Sequence, residues 1–360
     1  MKQQPIPADN GRPTRRERVA LVLGATGGIG GEVARCLQVR GWRIRALNRN
    51  AAAAAEQGGE GIEWLQGDAM TREAVVGAAR GADVIVHAVN PPGYRRWDEV
   101  VLPMLDNSIA AAKSAGARLL LPGTVYNFGP DAGAAPTEAA PQNPLTRKGA
   151  IRAEMERRLR AAAGQGVRSL VVRAGDYFGP GAANNWFSKG LVKPGRPVEA
   201  ITNPGRAGVG HQWGYLPDVA LTMVELLEQE ERLDVADVFH MAGHWDHDGQ
   251  QMAAAIARVA GRPAMKPRRF PWWLVSLLAP VVPLFRELAE MRYLWEKPLR
   301  MGNARLVALL GREPHTPLDD AVRATLEGLG CVPGTGRSDG DPVDAASPAA
   351  VARQPLPGLR

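Results

Sequence analysis

The run Val19-Ala20-Leu21-Val22-Leu23 leads directly into Gly24-Ala25-Thr26-Gly27-Gly28-Ile29-Gly30 and then Glu32-Val33-Ala34-Arg35-Cys36-Leu37, and this stretch decides the fold. Five aliphatic residues without polar alternation read as a strand buried on both faces. The glycines at 24, 27 and 30 stand at i, i+3 and i+6. In such a turn the first permits the tight bend, the second lets backbone approach a diphosphate, and the third lets the helix pack on the strand. Unpaired N–H groups at the start of the helix then meet the phosphate charge. The stretch reads as strand, turn and helix built for a dinucleotide.

Outward from it, strand-like and helix-like segments alternate. Strands are predicted at 19–23, 43–47, 62–65, 84–87, 118–121, 169–173 and 238–241, with helices at 28–38, 72–79, 102–114, 149–162 and 219–228. Such alternation gives an α/β fold, a Rossmann-type doubly wound parallel sheet covered by helices on both faces. Two stretches break the rhythm, Ala182–Gly210 and Trp245–Leu329, both rich in Trp, Pro and Gly. They are expected to form a smaller, C-terminal substrate lobe over the carboxyl ends of the strands, where open α/β sheets hold their ligands. The predicted division is a flexible basic tail (1–17), a nucleotide-binding domain (18–181 plus roughly 211–243), the substrate lobe (182–210 plus roughly 244–330) and a disordered tail (332–360), the last rich in Pro, Gly, Ser and Ala.

Bulk properties narrow the class. A chain of 360 residues is long enough for a large core. Its two cysteines, Cys36 and Cys331, make no disulfide framework and no metal-type pair, which suits a reducing cytoplasm. The formal charge is +7, but the arginines are scattered and no run interleaves basic and aromatic residues. The charge therefore reads as solubility and affinity for an anionic cofactor or substrate rather than nucleic acid. No apolar segment follows the N-terminal basic residues as in a signal peptide. The apolar run Pro271–Phe285 is short for a membrane span and is interrupted by Pro280 and Pro283. Behind Lys266-Pro267-Arg268-Arg269 it would suit a membrane surface, yet packing within the substrate lobe is the preferred reading.

Five motifs in order, Gly24–Gly30, Gly67-Asp68, Tyr126, Arg173 to Gly181 and Trp213-Gly214-Tyr215-Leu216-Pro217-Asp218-Val219-Ala220, resemble the extended short-chain dehydrogenase/reductase group, the NAD(P)-dependent epimerase/dehydratase proteins. The resemblance runs from about Arg18 to Leu329. It implies that Gly24, Thr26, Gly27, Gly28, Ile29 and Gly30 hold the diphosphate and that Asp68 and Ala69 meet the adenine. It also lays Ala88 and Val89, after His87, along the cofactor; His87 itself reads as a structural strand-end residue. It further implies a homodimer through the helices around 102–114 and 149–162. Cofactor choice follows from charge. An NAD site usually carries Asp or Glu at the end of the second strand, whereas this chain has Leu47-Asn48-Arg49-Asn50. With Asn48 neutral and Arg49 able to pair with a 2′-phosphate, NADP is expected over NAD.

The catalytic pattern departs from that family. Its hydroxyl-bearing position at the end of the fifth strand falls on Pro122, leaving Thr124 as the substitute. Its Tyr-x-x-x-Lys falls on Lys148 and Arg152, one helical turn apart and on one face. Two readings stay open. Either Lys148 replaces the tyrosine as proton donor, its neutral form favoured by the neighbouring Arg152 cation, or the two are a solvated first-turn pair. Tyr126 and Tyr177 are further candidate donors, and Asp176 stands where the family commonly has Asn near the substrate. Asn184, Asn185 and Trp186-Phe187, with His211-Gln212-Trp213, suit a polar-rimmed, partly apolar pocket for a small-molecule substrate. His240, His244, Asp246, His247 and Asp248 invite a metal reading, but a strand end followed by a turn would splay them, so no metal is expected. The function expected is that of an NAD(P)-dependent oxidoreductase or epimerase acting on a small carbonyl or hydroxyl compound, sugar-derived ones included. The competing expectation is a non-catalytic NAD(P)-binding sensor.

Overall fold

The computed structural model describes residues 16–90, 97–182 and 185–334. The expected tails, 1–17 and 332–360, fall almost wholly outside these residues, as does Asn184. The strands are β1 (Val19–Leu23), β2 (Arg43–Asn48), β3 (Ile62–Gln66), β4 (Val84–His87), β5 (Arg118–Thr124), β6 (Ser169–Ala174), β7 (Asp176–Phe178), β8 (Thr202–Asn203), β9 (His211–Tyr215), β10 (Ala236–His240), β11 (His244–Asp246) and β12 (Arg268–Arg269). The helices that frame the site are α1 (Gly28–Val39), α2 (Ala51–Gln57), α3 (Arg72–Ala78), α4 (Trp97–Ala115), α5 (Arg147–Ala163), α6 (Leu216–Leu227) and α7 (Gln251–Val259).

Seven parallel strands form the central sheet in the order β10-β6-β5-β4-β1-β2-β3. This is the doubly wound arrangement expected from the sequence. Successive residues of each strand feed opposite faces. Leu21, Leu23, Ile85 and Leu119 pack under α3, α4 and α5 with Val75, Leu105 and Met155. Ala20, Val22, Val86 and Leu120 pack under α1 and α6 with Val33, Leu37, Val219 and Met223. Winding reverses between β1 and β4, whose carboxyl ends, Leu23 and His87, lie in register and open the crevice where such sheets bind ligands.

A third apolar cluster lies in the segments that broke the alternation. Phe178, Phe187, Leu191, Ile201, Trp213 and Tyr215 pack with Met252 and Ile256 of α7 and with Val322 and Leu326 of the helix Leu318–Gly328. Beside it, β7, β9 and β11 make a small sheet, and β8 pairs with β12. The C-terminal stretch does not stay in one place, because Leu306 of the helix Ala304–Leu310 joins the core beneath the central sheet.

Candidate functional site

The glycine loop is shaped by contacts that exclude side chains. Gly24 has φ +93°, and a Cβ there would lie 2.5 Å from the Ala88 carbonyl oxygen. A Cβ on Gly30 would lie 2.2 Å from the Gly24 oxygen. Gly27 N–H donates to that same oxygen at 3.0 Å. Helix α1 has no side-chain cap and no acidic residue in its first turn. Its first N–H groups therefore meet no side-chain acceptor and no competing negative charge, which fits an anionic diphosphate. Thr26 and Gly27 are exposed, and Gly28 and Ile29 are half-buried.

The rest of the expected cofactor groove follows the strand ends. At the end of β2, Asn48 Oδ1 accepts from Asn50 N–H at 2.8 Å, and Asn50 in turn caps α2 through Ala53 N–H at 3.2 Å. Arg49 is exposed, and no ion pair engages it among the described residues. After β3, Asp68 Oδ1 accepts from Met70 N–H at 2.9 Å, and Asn107 Nδ2 donates to the Ala69 oxygen at 2.9 Å. After β4, Ala88 N–H donates to Leu23 O at 2.9 Å, while Ala88 and Val89 are half-buried.

Helix α5 carries Lys148 and Arg152 at the positions of the expected acid/base pair. Thr146 caps α5 by accepting from Gly149 N–H at 2.9 Å, which places Lys148 in the first turn. Lys148 is 6 % exposed, unlike a solvated surface lysine. Arg152, one turn on, lies 5.4 Å from the Trp97 ring, and its charge acts on His87 and Tyr177. Burial, helped by that charge, pushes His87 down to about 3. His87 Nδ1 lies 2.8 Å from Ser108 Oγ, whose own hydrogen faces Met104 O at 3.1 Å. His87 is therefore neutral at physiological pH. Burial raises Tyr177 well above the usual tyrosine range, with Arg152 pulling the other way, and its hydroxyl donates to Gly123 O at 2.9 Å. Thr124 Oγ1 accepts from Tyr126 N–H at 3.2 Å.

Tyr126 joins a group that sequence reasoning did not connect. Its hydroxyl donates to Asp176 Oδ1 at 2.5 Å, and Asp176 Oδ2 lies 3.0 Å from His211 Nε2. Asp176 is 4 % and His211 6 % exposed. Trp295 stacks on His211 at 3.7 Å between ring centroids and 6° between planes. Trp186, Phe270, Trp272 and Trp295 continue as an aromatic wall with centroid separations of 4.8–6.0 Å. Trp213 is buried within this aromatic packing. Asn185 is used locally, donating to Ala182 O and accepting from Ser188 N–H. Gln212 braces the backbone of Met241, Ala242 and Met301. Trp295 carried no signal in the sequence, because 82 residues separate the apolar stretch around it from Trp213.

The five residues read for metal binding disperse. His240 Nε2 lies 2.8 Å from Arg173, Asp246 accepts from Gln251 and Met252 N–H at the start of α7, and Asp248 accepts from Gln250 N–H. His244 instead meets Asp218 and His315, each offering a ligand atom within 4.8 Å of the others. Both Asp218 oxygens already accept from Thr316.

With this geometry in place, a family model decides the relationship. The NAD dependent epimerase/dehydratase family matches residues 20–242. The chain belongs to this family. A 3-diazoavenalumate denitrifying reductase of Streptomyces sp is 29 % identical over 190 residues, 45 % of this chain and 57 % of the relative, so the match spans little more than half of that protein. Solved structures share the fold. The UDP-glucose 4-epimerase of Thermotoga maritima, solved with UDP-glucose, superposes with TM-score 0.65 at 15 % identity, covering 86 % of this chain and 98 % of that one. The Bordetella bronchiseptica enzyme WbmH, solved with NAD+, gives 0.62 at 16 %, covering 87 % and 98 %. Family membership supports a nicotinamide cofactor. Among the described residues no helix is long and apolar enough to cross a membrane.

Proposed function

We propose that this chain is an NADP-dependent reductase or epimerase-type enzyme. The bound nicotinamide would supply or accept hydride, and the substrate is a small carbonyl or hydroxyl compound. The diphosphate is held by Gly24 to Gly30, the adenine by Asp68 and Ala69, and the 2′-phosphate by Arg49, with Asn48 offering no opposing charge. Ala88 and Val89 border the nicotinamide half. One observation carries the enzymatic reading: Lys148 is buried at the foot of α5 beside Arg152, whose charge reaches His87 and Tyr177 inside the crevice. A substrate oxygen gaining negative charge during reduction would be stabilised by this concentration of positive charge.

Asp176, Asn184, Asn185 and Trp213 are assigned to the substrate side, with the Trp186–Trp295 wall favouring a substrate that has an apolar or aromatic part. Sugar-derived substrates fit the polar rim. The buried free thiols of Cys36 and Cys331 suit a cytoplasmic setting, and a homodimer through α4 and α5 is part of the proposal. A non-catalytic sensor is the second reading, favoured by the lost Tyr-x-x-x-Lys. Replacing Lys148 with Met separates the two. An enzyme loses hydride transfer by about a hundredfold or more while keeping NADPH affinity, whereas unchanged turnover removes Lys148 from the mechanism.

A further inference from the structure

We propose that Tyr126, Asp176 and His211 form one proton-carrying unit that supplies the acid/base function missing from α5. The inference rests on the reductase reading above. Tyr126 is assigned as the group that touches the substrate oxygen, and Asp176 and His211 act through it as positioning residues.

Three elements deliver these groups. Tyr126 follows β5, Asp176 opens β7 and His211 opens β9. In the parallel β7–β9 pair Asp176 sits opposite Trp213. His211, two residues before Trp213, shares its face of β9. Tyr126 Oη donates to Asp176 Oδ1 at 2.5 Å, and Oδ2 lies 3.0 Å from His211 Nε2. His211 Nδ1 faces the Leu294 carbonyl oxygen at 3.3 Å, and stacking on Trp295 fixes the plane of the ring.

Counting hydrogens gives the unit its character. A carbonyl oxygen only accepts, so His211 Nδ1 carries a hydrogen. One more proton is then shared between Oδ2 and Nε2, as an imidazolium–carboxylate pair or as an acid facing a neutral ring. Either satisfies two groups that are each more than nine-tenths buried. A second proton, on Oδ1, turns the Tyr126 hydrogen bond around, so that Asp176 donates and the phenolic hydrogen is released for the substrate. Tyr293 is the ionisable neighbour whose environment registers Asp176. Burial and the carboxylate's charge raise its hydroxyl well above the usual tyrosine range, so it stays neutral and does not compete.

The step balances. As a carbonyl substrate is reduced by hydride from the nicotinamide cofactor, the C=O π pair moves onto oxygen. That oxygen takes the Tyr126 proton as the phenolic O–H bond breaks. Tyr126 Oη takes the proton from Asp176 Oδ1, leaving a carboxylate opposite the His211 imidazolium. Water reloads Asp176 through Tyr126 after product leaves, and oxidation runs the same moves backward.

The test uses the full chain labelled with 15N-histidine, its six histidines resolved by assigning His211 through His211→Gln. Without cofactor, Tyr126→Phe should move the His211 Nε2 15N resonance, and Asp176→Asn should move it further, because the three groups form one hydrogen-bonded chain. With NADPH and benzaldehyde as probe, Tyr126→Phe should lower kcat by about a hundredfold at unchanged NADPH affinity. Asp176→Asn should flatten the pH profile of kcat, which a merely structural role would leave in place. A His211 Nε2 resonance at the same position in the wild type and Tyr126→Phe overturns the proposal, as does wild-type turnover by Tyr126→Phe. Wild-type protein that binds NADPH yet leaves benzaldehyde unreduced counts against the reductase reading, while the cofactor-free His211 resonance judges the proton unit separately.

Discussion

In the proposed function, Arg49 sets the choice of NADP from an open position. It stands directly after β2, exposed, with Asn48 and Asn50 occupied in local hydrogen bonds. A charge-assisted pair between guanidinium and phosphate contributes about 1.5–3 kcal/mol. Arg49→Asp should therefore weaken NADPH binding by roughly tenfold to a hundredfold. The new carboxylate can accept from a ribose hydroxyl, so NADH binding should strengthen in the same variant. Fluorescence titration with both cofactors reads the two effects, and an Arg49→Asp protein that keeps its NADPH affinity would remove Arg49 from the site.

At the scale of elements, β6 and α5 are joined by charge as well as by apolar packing. Arg173, fully buried on β6, donates to Glu156 of α5 at 2.9 and 2.5 Å and lies 5.1 Å from the Phe128 ring. Asn127 and Gln142 donate to the same carboxylate at 2.8 and 2.9 Å. This network holds the Tyr126 turn against the helix that carries Lys148. Glu156→Ala leaves an uncompensated guanidinium in the core and should cost about 3–5 kcal/mol, read as a lower urea midpoint. Little of this was legible beforehand. The strands of the central sheet were, since aliphatic runs between glycine-rich turns have one sensible reading. Even so β10 begins at Ala236 rather than Val238, because the polar-looking Asp237 is buried in an ion pair with Arg305, a partner 68 residues away. The glycine loop was legible because its constraint is local. The burial of Lys148 was not, because it lies on a helix crowded with arginines and glutamates, where only the tertiary fold decides which charge faces inward. The sequence puts His211 near the pocket, but its link to Tyr126 needs separate strands to meet.

Across the whole molecule, buried neutral histidines tie stability to pH. Burial, with Arg152 adding to it, holds His87 down to about 3. Burial and Arg173 hold His240 to about 3, and burial and His315 hold His244 to about 4. In the unfolded chain each would titrate near 6.5. Between these values the unfolded state binds protons that the native state refuses, so acidification favours unfolding. The sign is fixed: these three residues cost nothing above about pH 6.5, and their penalty grows as pH falls toward 4 and 3. Each contributes a slope of up to about 1.4 kcal/mol per pH unit in that window. Urea midpoints measured from pH 7.5 down to 4.5 should fall steeply below pH 6.5. His240→Gln offers a check that does not touch the crevice, since its amide can still accept from Arg173 but cannot titrate. That variant should show a shallower acid slope than the wild type, and an identical slope would mean that His240 is not held neutral in the fold.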